Sequence, residues 1–230
     1  MRLAGCFSAV LLWMLPGIFC LGGTDKSLES VLANMEKTRG DFRSFVADIS
    51  TQKYTAILEG FEYPEKGKFY YKRAEDGSAL IRWEVKKPGV RILTIKGAEA
   101  LSYQPKIKMA RKVGLGKNKD KAEYLVLGIG QSPADLKKTF NIAYLGNDKV
   151  NGARCSVLEF KPKGTRAAAM FDSIAVWIND ATGVSVRMKM TEPFGDYIIV
   201  DFTDEKLNET ISDSIFEQKL PADVDILIIN

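Results

Sequence analysis

The chain has 230 residues, 46% of them hydrophobic and 27% charged, with a formal net charge of +4. That length can bury one core, and the charge is too balanced for a dedicated nucleic-acid binder. There is no histidine, which excludes Ser-His-Asp and Cys-His nucleophile systems, HExxH zinc sites and imidazole metal ligands.

The N-terminus reads as an export signal. Arg2 is the only charge before Asp25, and an apolar core, "AVLLWMLPGIF", runs from Ala9 to Phe19. That is shorter than the roughly 20 residues a spanning helix needs. Pro16 and Gly17 break it, and Cys20, Gly22 and Gly23 are small residues suited to cleavage. Residues 1–23 are therefore expected to be a signal peptide, cut near residues 20–23, and residues 24–230 one domain. Removing Arg2 leaves 32 basic against 29 acidic residues, a charge of +3. Cysteines stand at 6, 20 and 155, so after that cut only Cys155 remains. It can form neither an internal disulfide nor a thiolate metal site. Whether Cys20 is acylated decides between an anchored and a free protein. Phe19 beside the cut disfavours acylation, because a lipoprotein peptidase needs a small residue there.

The first mature element is a helix: Leu28, Val31, Leu32 and Met35 recur at i, i+3, i+4 and i+7, one apolar stripe. Thr24, Asp25 or Ser27 can cap its start, and Gly40 suits its end. Mostly strands follow. "SALIRWEVKKPG" alternates Ala79, Ile81, Trp83 and Val85 against Arg82, Glu84 and Lys86. "GVSVRMKMTE" does the same with Val184, Val186, Met188 and Met190 against Ser185, Arg187 and Lys189, after a "DATG" hairpin loop. Further strands are expected near 42–54, 67–74, 90–96, 98–104, 107–113, 139–146, 154–161, 171–179 and 196–207. Their short connections imply antiparallel pairing, with one face apolar and one wet.

Two short helices are expected to interrupt the sheet. One carries Ala122, Leu125, Val126 and Ile129. The other, "SPADLKKTF", opens with Ser132 as cap, Pro133 at the first helical position and Asp135 in the first turn. Between Lys106 and Lys121 the chain is basic: Lys106, Lys108, Arg111, Lys112, Lys117, Lys119 and Lys121 stand against Asp120 alone. This is either a solvated face or a docking surface for an anionic membrane or acidic partner. The chain is thus one curved antiparallel sheet whose apolar face exceeds what small helices fill, and such a sheet can close over a dry cavity for an apolar guest. Ile81, Trp83, Tyr103, Val186, Met188 and Met190 are the expected cavity lining. Leu28, Val31, Leu32, Met35, Leu125, Val126 and Ile129 are the expected cover. Soft methionines, including Met109 and Met170, suit a variable guest; the same side chains also serve as plain core filling. No motif marks an enzyme, a metal site or a cofactor.

The stretch from Phe69 to Val113 carries Lys72-Arg73, then Arg82-Trp83 closed by Pro88, then Gly97 and the run Leu101 to Pro105 with Tyr103. In these features it resembles the LolA-like lipoprotein-carrier family of the bacterial periplasm. The resemblance continues through "YLVLGIG", "DLKKTFNI", "SVLEFKPK", "IAVWINDATGVSVRMKM" and "SIFEQKLPADVDI". It implies an incomplete antiparallel β-barrel, or half-barrel, under a helical lid. The implied function is a soluble periplasmic carrier of lipoprotein acyl chains from inner to outer membrane. The implied partners are acylated lipoproteins or lipid, an inner-membrane release complex and an outer-membrane acceptor, with no nucleic acid and a monomeric carrier. A membrane-anchored receptor or lipid-sensing module on the same fold is the alternative. Arg73 matches the family's lid-closing arginine; Ala74 stands where the best-known members have proline, and "EDGS" lengthens the turn.

Overall fold

The computed structural model describes residues 27–116 and 124–229. The signal region, with Cys20, and Ala122 and Lys117 to Lys121 lie outside the described residues.

The chain opens with α1 (Leu28–Asp41). The Ser27 hydroxyl accepts the Ser30 N–H, and the helix ends at Phe42 rather than at Gly40. Thirteen strands follow among the described residues: β1 (Ser44–Thr55), β2 (Gly60–Phe61), β3 (Glu65–Arg73), β4 (Ala79–Lys87), β5 (Arg91–Lys96), β6 (Glu99–Gln104), β7 (Met109–Gly114), β8 (Phe140–Val150), β9 (Ala153–Pro162), β10 (Ser173–Asn179), β11 (Ser185–Thr191), β12 (Tyr197–Leu207) and β13 (Asp225–Ile229). The helix α2 (Pro133–Thr139) precedes β8, with the Ser132 hydroxyl accepting the Asp135 N–H as its sequence predicts. A single turn, α3 (Thr165–Ala168), follows β9.

The strands form one open sheet in the order β13-β7-β6-β5-β4-β3-β1-β12-β11-β10-β9-β8, with β2 on β1. This is the expected incomplete barrel. Its ladders are antiparallel except one: β13 pairs parallel to β7, Asp225 facing Met109 and Ile229 facing Val113. Strand alternation sends Phe45, Ala47 and Ile49 of β1, Phe69 and Tyr71 of β3, Leu158 and Phe160 of β9, and Val200 and Phe202 of β12 into one buried cluster. The α1 stripe lies on this face: Val31, Leu32 and Met35 are buried in the same cluster. Burying each such side chain stabilises by about 1.5–3 kcal/mol.

Two expectations hold only in part. In the described part of the 122–129 segment Tyr124 is helical and Leu125 to Gly128 form a turn. The second face of the sheet is not simply wet. The C-terminal segment after β12 crosses it. Ile211 and Phe216 pack on Val46 and Leu80, Arg82 donates to the Ile215 carbonyl, and the Thr94 hydroxyl donates to Gln218.

Candidate functional site: an apolar sheet face under a tethered cover

Cross-strand register builds the floor. Ile81 sits between Tyr71 and Ile95, and Trp83 between Phe69 and Leu93. Met188 sits between Val176 and Val200, and Met190 between Ile174 and Ile198. Ile81, Met188 and Met190 belong to the main cluster, with Ile81 and Met188 at 0% exposure, and Trp83 packs against it, partly buried. Phe45, Phe69 and Phe202 form a tilted aromatic group with ring centroids 5.6–6.1 Å apart, and Trp83 meets Phe69 edge-on at 5.4 Å. These three phenylalanines were not singled out from sequence. Their signal was period-two alternation in β1, β3 and β12, visible only once the strands' shared face is known.

Two expected lining residues lie elsewhere. The β10–β11 ladder shifts register between Trp177 and Ile178, which pair with Arg187 and Ser185. Val186 is the extra residue of this bulge. It packs with Val150 and Cys155 beside Trp177 in a separate cluster, while Ser185 is buried under Gly128. A bulge reverses alternation, so the sequence pattern misassigned both. Tyr103 pairs with Ile92 and Ala110, whereas its neighbour Ser102 shares the face of Leu93 and Trp83. Tyr103 therefore faces away from Trp83. Met109 and Met170 are half-buried and outside the main cluster. Trp177 points outward, its indole N–H donating to Asp148 at 2.8 Å.

Val31, Leu32, Met35, Val126 and Ile129 are buried in the floor's cluster, and Leu28 and Leu125 pack against it, partly buried. The helix is tied to the β10–β11 hairpin loop by Asn34, donating to the Asp180 carbonyl at 3.1 Å, and Thr38, donating to the Thr182 carbonyl at 2.8 Å. The Ser185 N–H donates to the Gly128 carbonyl at 2.9 Å, seating the 124–131 turn on β11.

Arg73 joins the two parts of the cover. Its guanidinium donates to the Gly130 carbonyl at 2.9 Å and reaches the Arg39 carbonyl, near the end of α1, at 3.5 Å. It also stands 6.0 Å over the Phe42 ring. Gly130 has φ +65°, and a Cβ there would fall 2.3 Å from the Phe42 ring, so only glycine lets the chain close against this aromatic. Burial pushes the Tyr71 phenol above its ordinary value, and the nearby Arg73 charge and hydrogen bond oppose the shift. Among the described residues, the Tyr144 and Thr51 hydroxyls are buried without a hydrogen-bond partner.

The basic stretch is partly neutralised: Lys108 pairs with Asp223 at 2.6 Å and Lys112 with Glu99 at 2.7 Å. No metal-ligating cluster occurs among the described residues, and among them no helix is long and apolar enough to cross a membrane.

The structure is thus an open half-barrel whose continuous apolar face is covered by a tethered helix and turn. The family described as "Outer membrane lipoprotein carrier protein LolA" matches residues 59–219, and the chain belongs to it. A curated "Outer-membrane lipoprotein carrier protein" of Alcanivorax borkumensis is 23% identical over 206 residues, 90% of this chain and 88% of that one. Among solved structures, an uncharacterised conserved protein of Thermus thermophilus superposes with a TM-score of 0.56 at 12% identity, over 87% of this chain and 98% of that one. MucB superposes at 0.52 and 12% identity, over 86% of this chain and 64% of that one. These two likenesses concern the fold.

Proposed function

We propose that the protein is a periplasmic carrier that takes the acyl chains of lipoproteins against the apolar face of its half-barrel and shuttles them from inner to outer membrane. The observation that carries this reading is the cover. A helix and a turn seal one contiguous apolar cluster, and a single half-buried arginine links them through carbonyl contacts. A permanent core would need no such detachable tie. Acyl chains bind by area: each CH₂ removed from water contributes about 0.8 kcal/mol. Met188 and Met190 in the floor can repack around chains of different shape. The buried, unpartnered Tyr144 hydroxyl suits a guest bearing an acceptor such as an ester carbonyl, since an orphan of this kind costs about 1–3 kcal/mol.

Arg73 acts as the closing latch in this reading, and Ile81, Trp83, Met188 and Met190 form the wall that the guest meets. Export with removal of residues 1–23 delivers the carrier unlipidated to the periplasm. An inner-membrane complex loads it, and an outer-membrane acceptor unloads it. It works as a monomer, without cofactor and without catalysis.

The test is to purify the protein from its native envelope and identify bound material by mass spectrometry, alongside titration with a fluorescent fatty-acyl probe. Lipoprotein or acyl lipid in the native sample, with saturable probe binding that Arg73→Leu alters, is the expected result. An empty native protein that binds no probe overturns the reading. Intact mass also reports the N-terminus: a diacylglyceryl-modified Cys20 would replace the free carrier by an anchored receptor.

A further inference from the structure

One rim of the sheet carries large apolar side chains pointing into water. Where β1 ends and β12 begins, Tyr54 pairs with Tyr197, and the turns on either side lie against each other. The Ala56 N–H donates to the Asp196 carboxylate at 2.8 Å. Lys53 lies 3.7 Å from both Glu192 and Asp196. The base is rigid: Tyr54 stacks on Tyr197 with centroids 4.7 Å apart, Phe61 meets both rings edge-on, and the Lys189 ammonium sits 4.0 Å over Tyr197. From this base Ile57, Leu58, Tyr63 and Phe194 protrude at 91%, 76%, 90% and 99% exposure, with Phe61 half exposed.

Phe194 is the telling residue. It sits at φ 73°, ψ 10°, a left-handed conformation that favours glycine or asparagine and strains a bulky side chain. Its side chain touches nothing that offsets this strain, since it is almost wholly in water. Single exposed apolar residues are ordinary, but five on two tethered turns mark a contact surface.

We propose that this rim is a membrane-docking edge that dips Ile57, Leu58, Tyr63 and Phe194 into a lipid surface of neutral headgroups. The four tips stand on two turns, Ile57, Leu58 and Tyr63 between β1 and β3 and Phe194 between β11 and β12, and protrude rather than line one groove. A fluid interface accepts such prongs without matched shape, whereas a protein pocket would need complementarity to each. The charge around them sets the lipid class. The two turns and their strand ends carry Lys53 and Lys189 against Glu59, Glu62, Glu192 and Asp196, so the charge immediately around the tips is net negative and disfavours anionic headgroups. Four tips with no acyl anchor give weak, reversible contact, as a single lipid chain does.

The experiment is flotation of the purified full chain with phosphatidylcholine vesicles, and with vesicles enriched in phosphatidylglycerol. Wild-type protein is expected to float with the neutral vesicles and less with the anionic ones. Phe194→Asn, which suits the left-handed backbone, should hold or raise thermal stability while lowering neutral-vesicle binding about tenfold, the effect of withdrawing one large apolar side chain. The double variant I57D/L58D should abolish it. Leu145→Asp, exposed on the edge strand β8, should leave it unchanged. No binding of wild type to neutral vesicles, equal binding by Phe194→Asn, or a requirement for anionic lipid overturns the proposal, the first in favour of a protein partner. The acyl-probe titration separates this from the carrier reading. Probe binding lost with flotation intact sinks the carrier alone, and flotation lost with probe binding intact sinks the docking edge alone.

Discussion

Replacing Arg73 with leucine tests the latch directly. The wild-type guanidinium makes one good hydrogen bond, 2.9 Å to the Gly130 carbonyl, and a long one, 3.5 Å to that of Arg39, with the Phe42 ring 6.0 Å away. A hydrogen bond from a charged donor contributes about 1.5–3 kcal/mol, and an exposed cation–π contact about 0.5–1 kcal/mol. The side chain is only half-buried, so we take about 1.5 kcal/mol for the whole, a little over a tenfold shift toward the open cover. The assay is native-state hydrogen exchange. The amides of Ile129 and Ser185, whose hydrogen bonds run to Val126 and Gly128 across the cover, should exchange roughly tenfold faster in Arg73→Leu. Amides of β1 and β3 should keep their wild-type rates, because the open cover leaves the sheet intact. An equal acceleration everywhere would mean that Arg73 supports the whole fold. No acceleration at Ile129 would mean that it latches nothing. Either result refutes the reasoning.

Gly130→Ala should loosen the same place by collision with Phe42. Because it acts on the same contact, the double variant with Arg73→Leu should be destabilised by less than the sum of the two, measured by chemical unfolding. Met188→Ala should lower the unfolding free energy by about 2–5 kcal/mol, since the side chain is fully buried, while Met188→Leu should cost under about 1.5 kcal/mol; equal small effects would mean loose packing there. Tyr71 has its folded pKa raised above 10.0 by burial. Its neutral phenol costs nothing below pH 10, and stability falls as pH rises past that value because the unfolded chain ionises first. Tyr71→Phe should flatten this alkaline loss in melts between about pH 9 and 11; an unchanged slope would assign the loss to other groups.

Much of this architecture is legible from local pattern. The stripe Leu28, Val31, Leu32 and Met35 has helical spacing, and the "IRWEV" alternation has strand spacing, so each predicted which side chains would be buried together. Ser132 and Pro133 announced α2 by capping chemistry alone. These signals work because they depend on neighbours three or four residues away at most. Val186 shows where they stop. Its parity matches Met188 in sequence, but a bulge against β10 turns it to the opposite face, and bulges are set by the partner strand. Tyr103 fails differently: no local pattern says which of a strand's two faces meets Trp83, because that depends on the β5–β6 register.

The strand β13 had no expected place. Its exposed apolar run pairs parallel to β7 only after the chain has crossed the outer face from β12. The rim of Ile57, Leu58 and Phe194 joins turns some 135 residues apart. From sequence each reads as an ordinary apolar residue that burial would claim, and only the tertiary structure leaves them in water. The amino-acid order alone determined an apolar sheet face and a helix to cover it, since amphipathic periodicity is a property of consecutive residues. The tertiary structure decided that Arg73 reaches the Gly130 carbonyl, because that contact depends on where distant segments come to rest.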